Sequence, residues 1–104
     1  MIQIFIQTNN NCIVSLDIKG HAEFDEHGKD LVCAGVSSIA IGLLNALEEF
    51  KTGYDCQMQD NEIKVVANNL NNKEAQIILK TGIIQLQTIQ ESYKAYIKIS
   101  KQEV

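Results

Sequence analysis

Hydrophobic and polar residues alternate along the first part of the chain. The apolar positions are Ile2, Ile4 and Ile6, followed by Cys12, Val14, Leu16 and Ile18. A period of two predicts strands with one face against a core. Residues 8–11, Thr-Asn-Asn-Asn, separate the two runs, and asparagine tolerates the left-handed backbone of tight hairpins. The pattern therefore predicts an antiparallel hairpin.

The period changes to three and four residues from Leu31 onward, which is the spacing of one helical face. The apolar positions of this face are Val36, Ala40, Leu43, Leu44, Leu47 and Phe50. Asp30 is placed to cap the helix, so Cys33 falls in its first turn. Residues 20–30, just before the helix, are polar and predict a long loop.

The second half repeats this order. Alternation around Asp60-Asn61 predicts another hairpin, and Asn71 with Glu74 resembles a capping box that opens a second helix. The last alternation, Ala95 to Ile99, predicts an edge strand. The order ββαββα with a C-terminal β strand favours one α+β domain over residues 1–104, a two-layer sandwich with an antiparallel or mixed sheet.

Composition and charge narrow the function. Hydrophobic residues make up 45% of the chain and charged residues 21%, as in ordinary folded domains. A net charge of -4 argues against direct binding of nucleic acid, which needs clustered Lys and Arg, and suits a basic partner better. The apolar stretch from Leu31 to Leu47 is slightly short of the ~20 residues of a spanning helix, so we expect a buried helix and no membrane partner.

The cysteines point to a reducing compartment. The chain has three, Cys12, Cys33 and Cys56, and none is spaced for a zinc knuckle or a redox pair. The N-terminus shows no secretory signal. We therefore expect a cytoplasmic protein without cofactor or metal, in which Cys12 and Cys56 are buried packing residues.

Cys33 is the candidate nucleophile. A thiol reacts as its thiolate, which the free N–H groups and the positive end of a helix N-terminus favour. A general base is also needed, and His21 and His27, the only two histidines, both precede this helix. On these residues alone catalysis is a weak signal, because a packing cysteine, solvated histidines and an Asp30 that only caps the helix are the more common explanation of such a pattern.

A longer motif carries more information. Residues 20–37 contain Gly20-His21-Ala22 and then Gly28-Lys29-Asp30-Leu31-Val32-Cys33-Ala34-Gly35-Val36-Ser37. This resembles the signature of the ribosomal-processing cysteine protease family, Prp, at each fixed position. The family comprises bacterial endopeptidases that remove an N-terminal extension from large-subunit ribosomal protein twenty-seven, cutting after an aromatic-rich motif. The resemblance implies that activity and that substrate here.

The resemblance also implies roles for single residues. His21 would be the general base and Cys33 the nucleophile, while Gly20, Asp30 and Ser37 occupy other fixed positions. N–H groups in the first turn, near Cys33 and Ala34, are the expected oxyanion donors. Asp30 has two possible duties, since it could orient His21 or cap the helix.

Several expectations complete this interpretation. The uncharged face of the first helix and the resemblance both favour a homodimer. An apolar groove for the aromatic motif would lie near Phe24, Tyr54 or Met58. The polar loop over residues 22–29 predicts a site that assembles when substrate binds.

Two other functions stay open. One is a non-catalytic ribosome-associated binding module that uses the same loop as a docking surface. The other is a metal site formed by His21, His27 and Cys33, which offers suitable ligand types but only three of them.

Overall fold

The fold is known from a computed structural model, which describes residues 1–20, 22, 25–26 and 30–104. In chain order its elements are β1 (Ile2–Asn9), β2 (Cys12–Lys19), α1 (Leu31–Glu49), β3 (Tyr54–Gln59), β4 (Glu62–Ala67), α2 (Lys73–Ser92) and β5 (Ile97–Glu103). The predicted order of strands and helices is confirmed.

The five strands form one mixed sheet in the order β3-β4-β2-β1-β5. Neighbouring strands are antiparallel except β1 and β5, which run parallel. Both helices pack on one face of this sheet, since the buried side of each strand belongs to the same hydrophobic cluster as the buried stripes of α1 and α2. The result is the predicted two-layer α+β sandwich, with β5 as an edge strand.

The first hairpin contains a bulge that the alternation did not predict. Gln7 lies opposite Ser15 and Thr8 opposite Ile13, so Val14 is an extra residue in β2. The bulge turns Ile13, which is 5% exposed, toward the core. The prediction that Val14 shares the buried face of Leu16 is therefore wrong for this end of the strand.

A buried glutamine side chain satisfies the backbone hydrogen-bonding groups near this bulge. Gln76 of α2 accepts a hydrogen bond from the N–H of Ile13 (2.6 Å) and donates one to its carbonyl oxygen (2.9 Å). Both bonds are buried, where an unpaired backbone group would be costly. The second helix is thereby fixed to the first hairpin.

The helix α2 begins one residue later than predicted. Asn72, not Asn71, is the N-cap, and its side chain accepts a hydrogen bond from the N–H of Ala75 (2.9 Å). Asn71 instead donates its N–H to the side chain of Asn69 in the preceding turn (2.9 Å). Glu74 is then the second helical residue, whereas a capping box needs the third, so the prediction of a capping box is wrong.

The helix α1 carries the buried stripe that the spacing predicted, apart from Phe50, which is the exposed C-cap. By length and composition alone α1 could cross a membrane. Its buried side chains, however, belong to the common core, as do those of α2. The expectation of a buried helix is thus the one that the packing supports.

Candidate active site

The first turn of α1 presents Cys33 as the sequence predicted. Asp30 is the N-cap, with φ -78° and ψ 106°, and its Oδ1 accepts a hydrogen bond from the N–H of Cys33 at 3.0 Å. Asp30 is 7% exposed, whereas Cys33 is half-buried and open to a cavity. The capping role of Asp30 is therefore confirmed.

The cap changes the expected oxyanion donors. The Cys33 N–H bonds to the Asp30 side chain, and the Ala34 N–H bonds to the Asp30 carbonyl oxygen at 3.0 Å. Both groups that were expected to receive an oxyanion are thus already paired. Neither of these two groups is therefore free in this structure, because the cap uses one and the first helical hydrogen bond uses the other, and oxyanion binding by N–H groups of this first turn stays a prediction.

A different N–H group contacts the thiol. Ala22, which is 3% exposed, donates its backbone N–H to the Sγ of Cys33 at 3.2 Å. A backbone donor aimed at the sulfur favours negative charge on it. Sequence reasoning missed this role, although Ala22 stands inside the motif that carries the resemblance.

Gly20 has a conformation and a position that only glycine fits. Its φ is +90°, and a Cβ there would lie 2.7 Å from the carbonyl oxygen of Met1. Its N–H donates to the carbonyl oxygen of Asn61 at 2.8 Å. The residue before His21 is thus held between the start of β1 and the turn of the β3–β4 hairpin.

Cys33 lines a cavity of about 230 Å³ between α1 and the tip of the β3–β4 hairpin. Ser37, one turn after Cys33, lines the same cavity, as does Gly20. Apolar side chains and the hairpin supply the remaining walls. They are Ile2, Ile18, Val36, Ala40 and Ile63, with Met58, Gln59, Asp60, Asn61 and Glu62 from the hairpin.

Of the three residues expected near an apolar groove, the structure places Met58 at the cavity, where it is 60% exposed. Tyr54 is half-buried against the core, and its hydroxyl donates to Glu48 at 3.2 Å. Burial first, and Glu48 second, raise the pKa of Tyr54. Phe24 lies outside the described residues.

The two histidines, like Phe24, are not among the described residues. His21 and His27 lie outside the described residues, as does most of loop 22–29, so the predictions of a general base, of an Asp30–His21 contact and of a site that assembles on binding stay predictions. Among the described residues, no group of three His, Cys, Asp or Glu side chains is placed to hold a metal ion.

The other two cysteines lie elsewhere. Cys12 and Cys56 are free and half-buried, and neither lines the Cys33 cavity. Cys56 packs against the core, and burial raises the pKa of its thiol. A neutral thiol is a poor nucleophile. Cys33 is therefore the only one of the three cysteines that opens into this cavity.

Comparison with known proteins matches this chain to one family. A sequence model described as cysteine protease Prp matches residues 1–98. The ribosomal processing cysteine protease Prp of Staphylococcus aureus is 36% identical, over 96% of this chain and 98% of that protein. Its Bacillus subtilis counterpart is 32% identical, over 96% of each chain.

A solved structure agrees with the fold. The crystal structure of the Staphylococcus aureus protease Prp, with a covalently linked product peptide, superposes with a TM-score of 0.94. The two chains share 33% identity, and the match covers 97% of this chain and 99% of the other. The similarity thus extends over the whole sandwich, including the elements that form the cavity.

Proposed function

Because this chain belongs to the Prp family of cysteine proteases, we propose that it removes the N-terminal extension of large-subunit ribosomal protein twenty-seven, cutting after an aromatic-rich motif. The observation that carries the proposal is the Cys33 thiol, which opens into a cavity and receives the Ala22 N–H. The name of the Staphylococcus aureus relative, a ribosomal processing protease, supports the substrate class.

The chemistry proposed at Cys33 is acyl transfer. His21 accepts the thiol proton, Cys33 attacks the scissile carbonyl carbon, and the protonated imidazole then gives its proton to the leaving amine. Water hydrolyses the resulting thioester and regenerates the thiol. The Ala22 N–H helps at the first step because it favours the negatively charged sulfur.

The cavity walls suit an apolar residue of the substrate. Met58 is apolar, polarizable and 60% exposed, and thioether sulfur makes favourable contacts with aromatic rings. Ile63 and Val36 line the same space. We therefore place an aromatic side chain of the cleavage motif against this part of the cavity.

Charge and surface support the remaining parts of the proposal. A net charge of -4 favours the encounter with a basic ribosomal protein. The reduced state of all three cysteines suits the cytoplasm. On α1, Leu31 is 67% exposed and Ile41 38% exposed, and the first acidic residues of the helix appear only at Glu48 and Glu49. This uncharged surface supports a homodimer.

Incubation with the precursor ribosomal protein tests the activity directly. Wild type should release the extension, with the cut site read by mass spectrometry, and Cys33→Ala and Cys33→Ser should not. Cys12→Ala is the matched control because it removes a half-buried thiol away from the cavity, and it should cleave normally.

Two results would change the assignment. Unchanged cleavage by Cys33→Ala would exclude Cys33 as the nucleophile. Stable binding of the precursor by wild type without any cleavage would instead support the non-catalytic binding module.

A further inference from the structure

Four charged side chains form a cluster on the sheet face opposite the helices. Asp17 and Lys19 stand on β2, and Glu62 and Lys64 stand on β4. The strand register places Asp17 opposite Lys64 and Lys19 opposite Glu62. Phe5 of β1 lies opposite Asp17 on the other side and carries no charge. Lys101 of β5 also lines the groove above this face.

The cluster leaves one oxygen atom unsatisfied. Lys19 Nζ lies 3.4 Å from Glu62 Oε2 and 3.9 Å from Asp17 Oδ2, so one amine serves two carboxyl groups. The Asp17 side chain is only 14% exposed, and its Oδ1 is buried and meets no hydrogen-bond donor among residues 1–20, 22, 25–26 and 30–104. A buried carboxylate oxygen without a donor is costly.

A proton on Asp17 lowers this cost because it neutralises the buried carboxyl group, and Glu62, which approaches the same Lys19 amine, is the neighbouring carboxylate that can share the proton. Burial first, and Glu62 second, raise the pKa of Asp17 to about 6, against the pull of Lys19 and Lys64. Sharing the proton with Asp17 lowers the pKa of Glu62. Two carboxyl groups that share one proton titrate as a pair.

Glu62 also belongs to the wall of the candidate active site. Met58, Asn61 and Glu62 line the Cys33 cavity, and all three stand in the β3–β4 hairpin. The carbonyl oxygen of Asn61 accepts the N–H of Gly20, the residue before His21. The position of the hairpin relative to β2 therefore sets both the cavity wall and the point from which the chain enters the His21 segment.

We propose that Asp17 and Glu62 are positioning residues whose shared proton holds the β3–β4 hairpin in the place that completes the Cys33 cavity. This inference rests on the proposed function, since it takes the cavity as the peptide site. When Asp17 loses its proton to solvent, two carboxylates compete for Lys19 and repel each other across β2 and β4. The hairpin wall loosens, and the substrate is bound more weakly.

The inference predicts a pH effect on KM rather than on the chemical step. In wild type, KM should rise about threefold or more between pH 5.5 and 7.5. The pH dependence of kcat should instead be set by the reacting groups, Cys33 and His21. In Asp17→Asn the side-chain amide donates to Glu62 at every pH, so KM should stay low and flat. Glu62→Gln, which can donate to an ionised Asp17, should also flatten the profile. Asp55→Asn is the matched control because it removes an exposed carboxylate of β3 and should keep the wild-type profile.

A second measurement does not depend on cleavage. NMR titration should give Asp17 a pKa of about 6, and the contribution of Asp17 to the free energy of unfolding, measured as wild type minus Asp17→Asn, should fall as pH rises from about 4 through 6. The sign follows because an acid with a raised folded pKa binds more protons folded than unfolded.

The two readouts separate the possible failures. If wild type cleaves nothing but Asp17 titrates near 6, the proposed function fails and the carboxyl pair stands without its role in catalysis. If wild type cleaves and both variants keep the wild-type KM profile, the positioning role is overturned. An Asp17 that titrates near 4 overturns the shared proton itself.

Discussion

The two helices of this protein begin in almost the same way, yet only one of them starts at a candidate active site. Asp30 caps α1 with φ -78° and ψ 106°, and Asn72 caps α2 with φ -72° and ψ 109°. Each side-chain oxygen accepts the N–H of the third helical residue, at 3.0 Å from Cys33 and 2.9 Å from Ala75. Backbone geometry and cap hydrogen bond are thus alike at the two ends, although the cap of α1 is a carboxylate and the cap of α2 is a neutral amide.

The difference lies in the side chain at the third position and in what surrounds it. Cys33 opens into a cavity and receives the Ala22 N–H, whereas Ala75 is 2% exposed in the core. The first turn of α1 holds no acidic residue, while that of α2 holds Glu74. The two helix starts therefore differ in the thiol, in the opening beside it and in the acidic residue of the first turn, and not in their backbone geometry.

The largest effect should come from exchanging the third residue. Cys33→Ala should lower the rate of precursor cleavage by on the order of 10⁴-fold or more, because the nucleophile is gone. Adding Ala75→Cys to that variant supplies a thiol at the equivalent position of α2 and should restore nothing. Restored cleavage in the double variant would show that the cap and helix end are sufficient, contrary to the comparison.

Removing each cap separates stability from activity. Asp30→Ala and Asn72→Ala should each lower the free energy of unfolding by about 1 kcal/mol in denaturant titrations. Only Asp30→Ala should also reduce cleavage, because the cap fixes the turn that presents Cys33. Equal cleavage by both variants, at matched stability, would contradict this.

Asp30→Asn sharpens the same test. Asparagine keeps a capping oxygen but not the negative charge. If Asp30 orients His21, the variant should lose cleavage at unchanged stability. If the carboxylate only caps the helix, its loss should leave cleavage intact, and the orienting role fails.

A smaller effect should follow from adding an acid to each first turn. Leu31→Glu places a carboxylate at an exposed position next to the cap and should slow alkylation of Cys33 several-fold, because it opposes negative charge on the sulfur. Lys73→Glu, at the equivalent position of α2, should leave the alkylation rate unchanged. Leu31→Gln controls for loss of the apolar side chain, and an equal slowing by this variant would exclude an electrostatic cause.

The smallest effect should come from neutralising the acid of α2. Glu74→Gln removes a favourable interaction with the helix dipole and should lower stability by about 0.3 kcal/mol, near the limit of a denaturant titration. Precursor cleavage should not change. A loss of activity would mean that α2 contributes to the site in a way that its contacts do not show.

Local patterns predicted the elements better than their pairing. Periods of two and of three to four residues located the strands and helices, because they reflect burial within one element. The bulge at Val14 was missed because it depends on the register against β1. The cap of α2 was assigned to Asn71 because two neighbouring asparagines fit the same local rule, and only the turn with Asn69 separates them.

The same distinction between local and distant contacts separates the predictable part of the site from the rest. Cys33 and Asp30 are three residues apart, so their geometry follows from one helical turn and could be predicted. The N–H of Ala22 on the thiol and the Asn61 carbonyl on Gly20 join segments separated by a loop or by a helix. Such contacts between distant segments leave no periodic pattern in the sequence. The hairpin wall of the cavity was missed for that reason, apart from Met58.

The close contact between Met1 and Gly20 has a practical consequence for purification. Ile2 lines the same cavity as Cys33, so an affinity tag fused ahead of Met1 would begin next to this cavity. The tag would then compete with substrate as a tethered peptide. Since β5 runs parallel to β1, Val104 lies at the other end of the sheet, where its N–H bonds to the carbonyl oxygen of Thr8. A tag placed after Val104 therefore leaves the Cys33 cavity open to substrate in kinetic measurements.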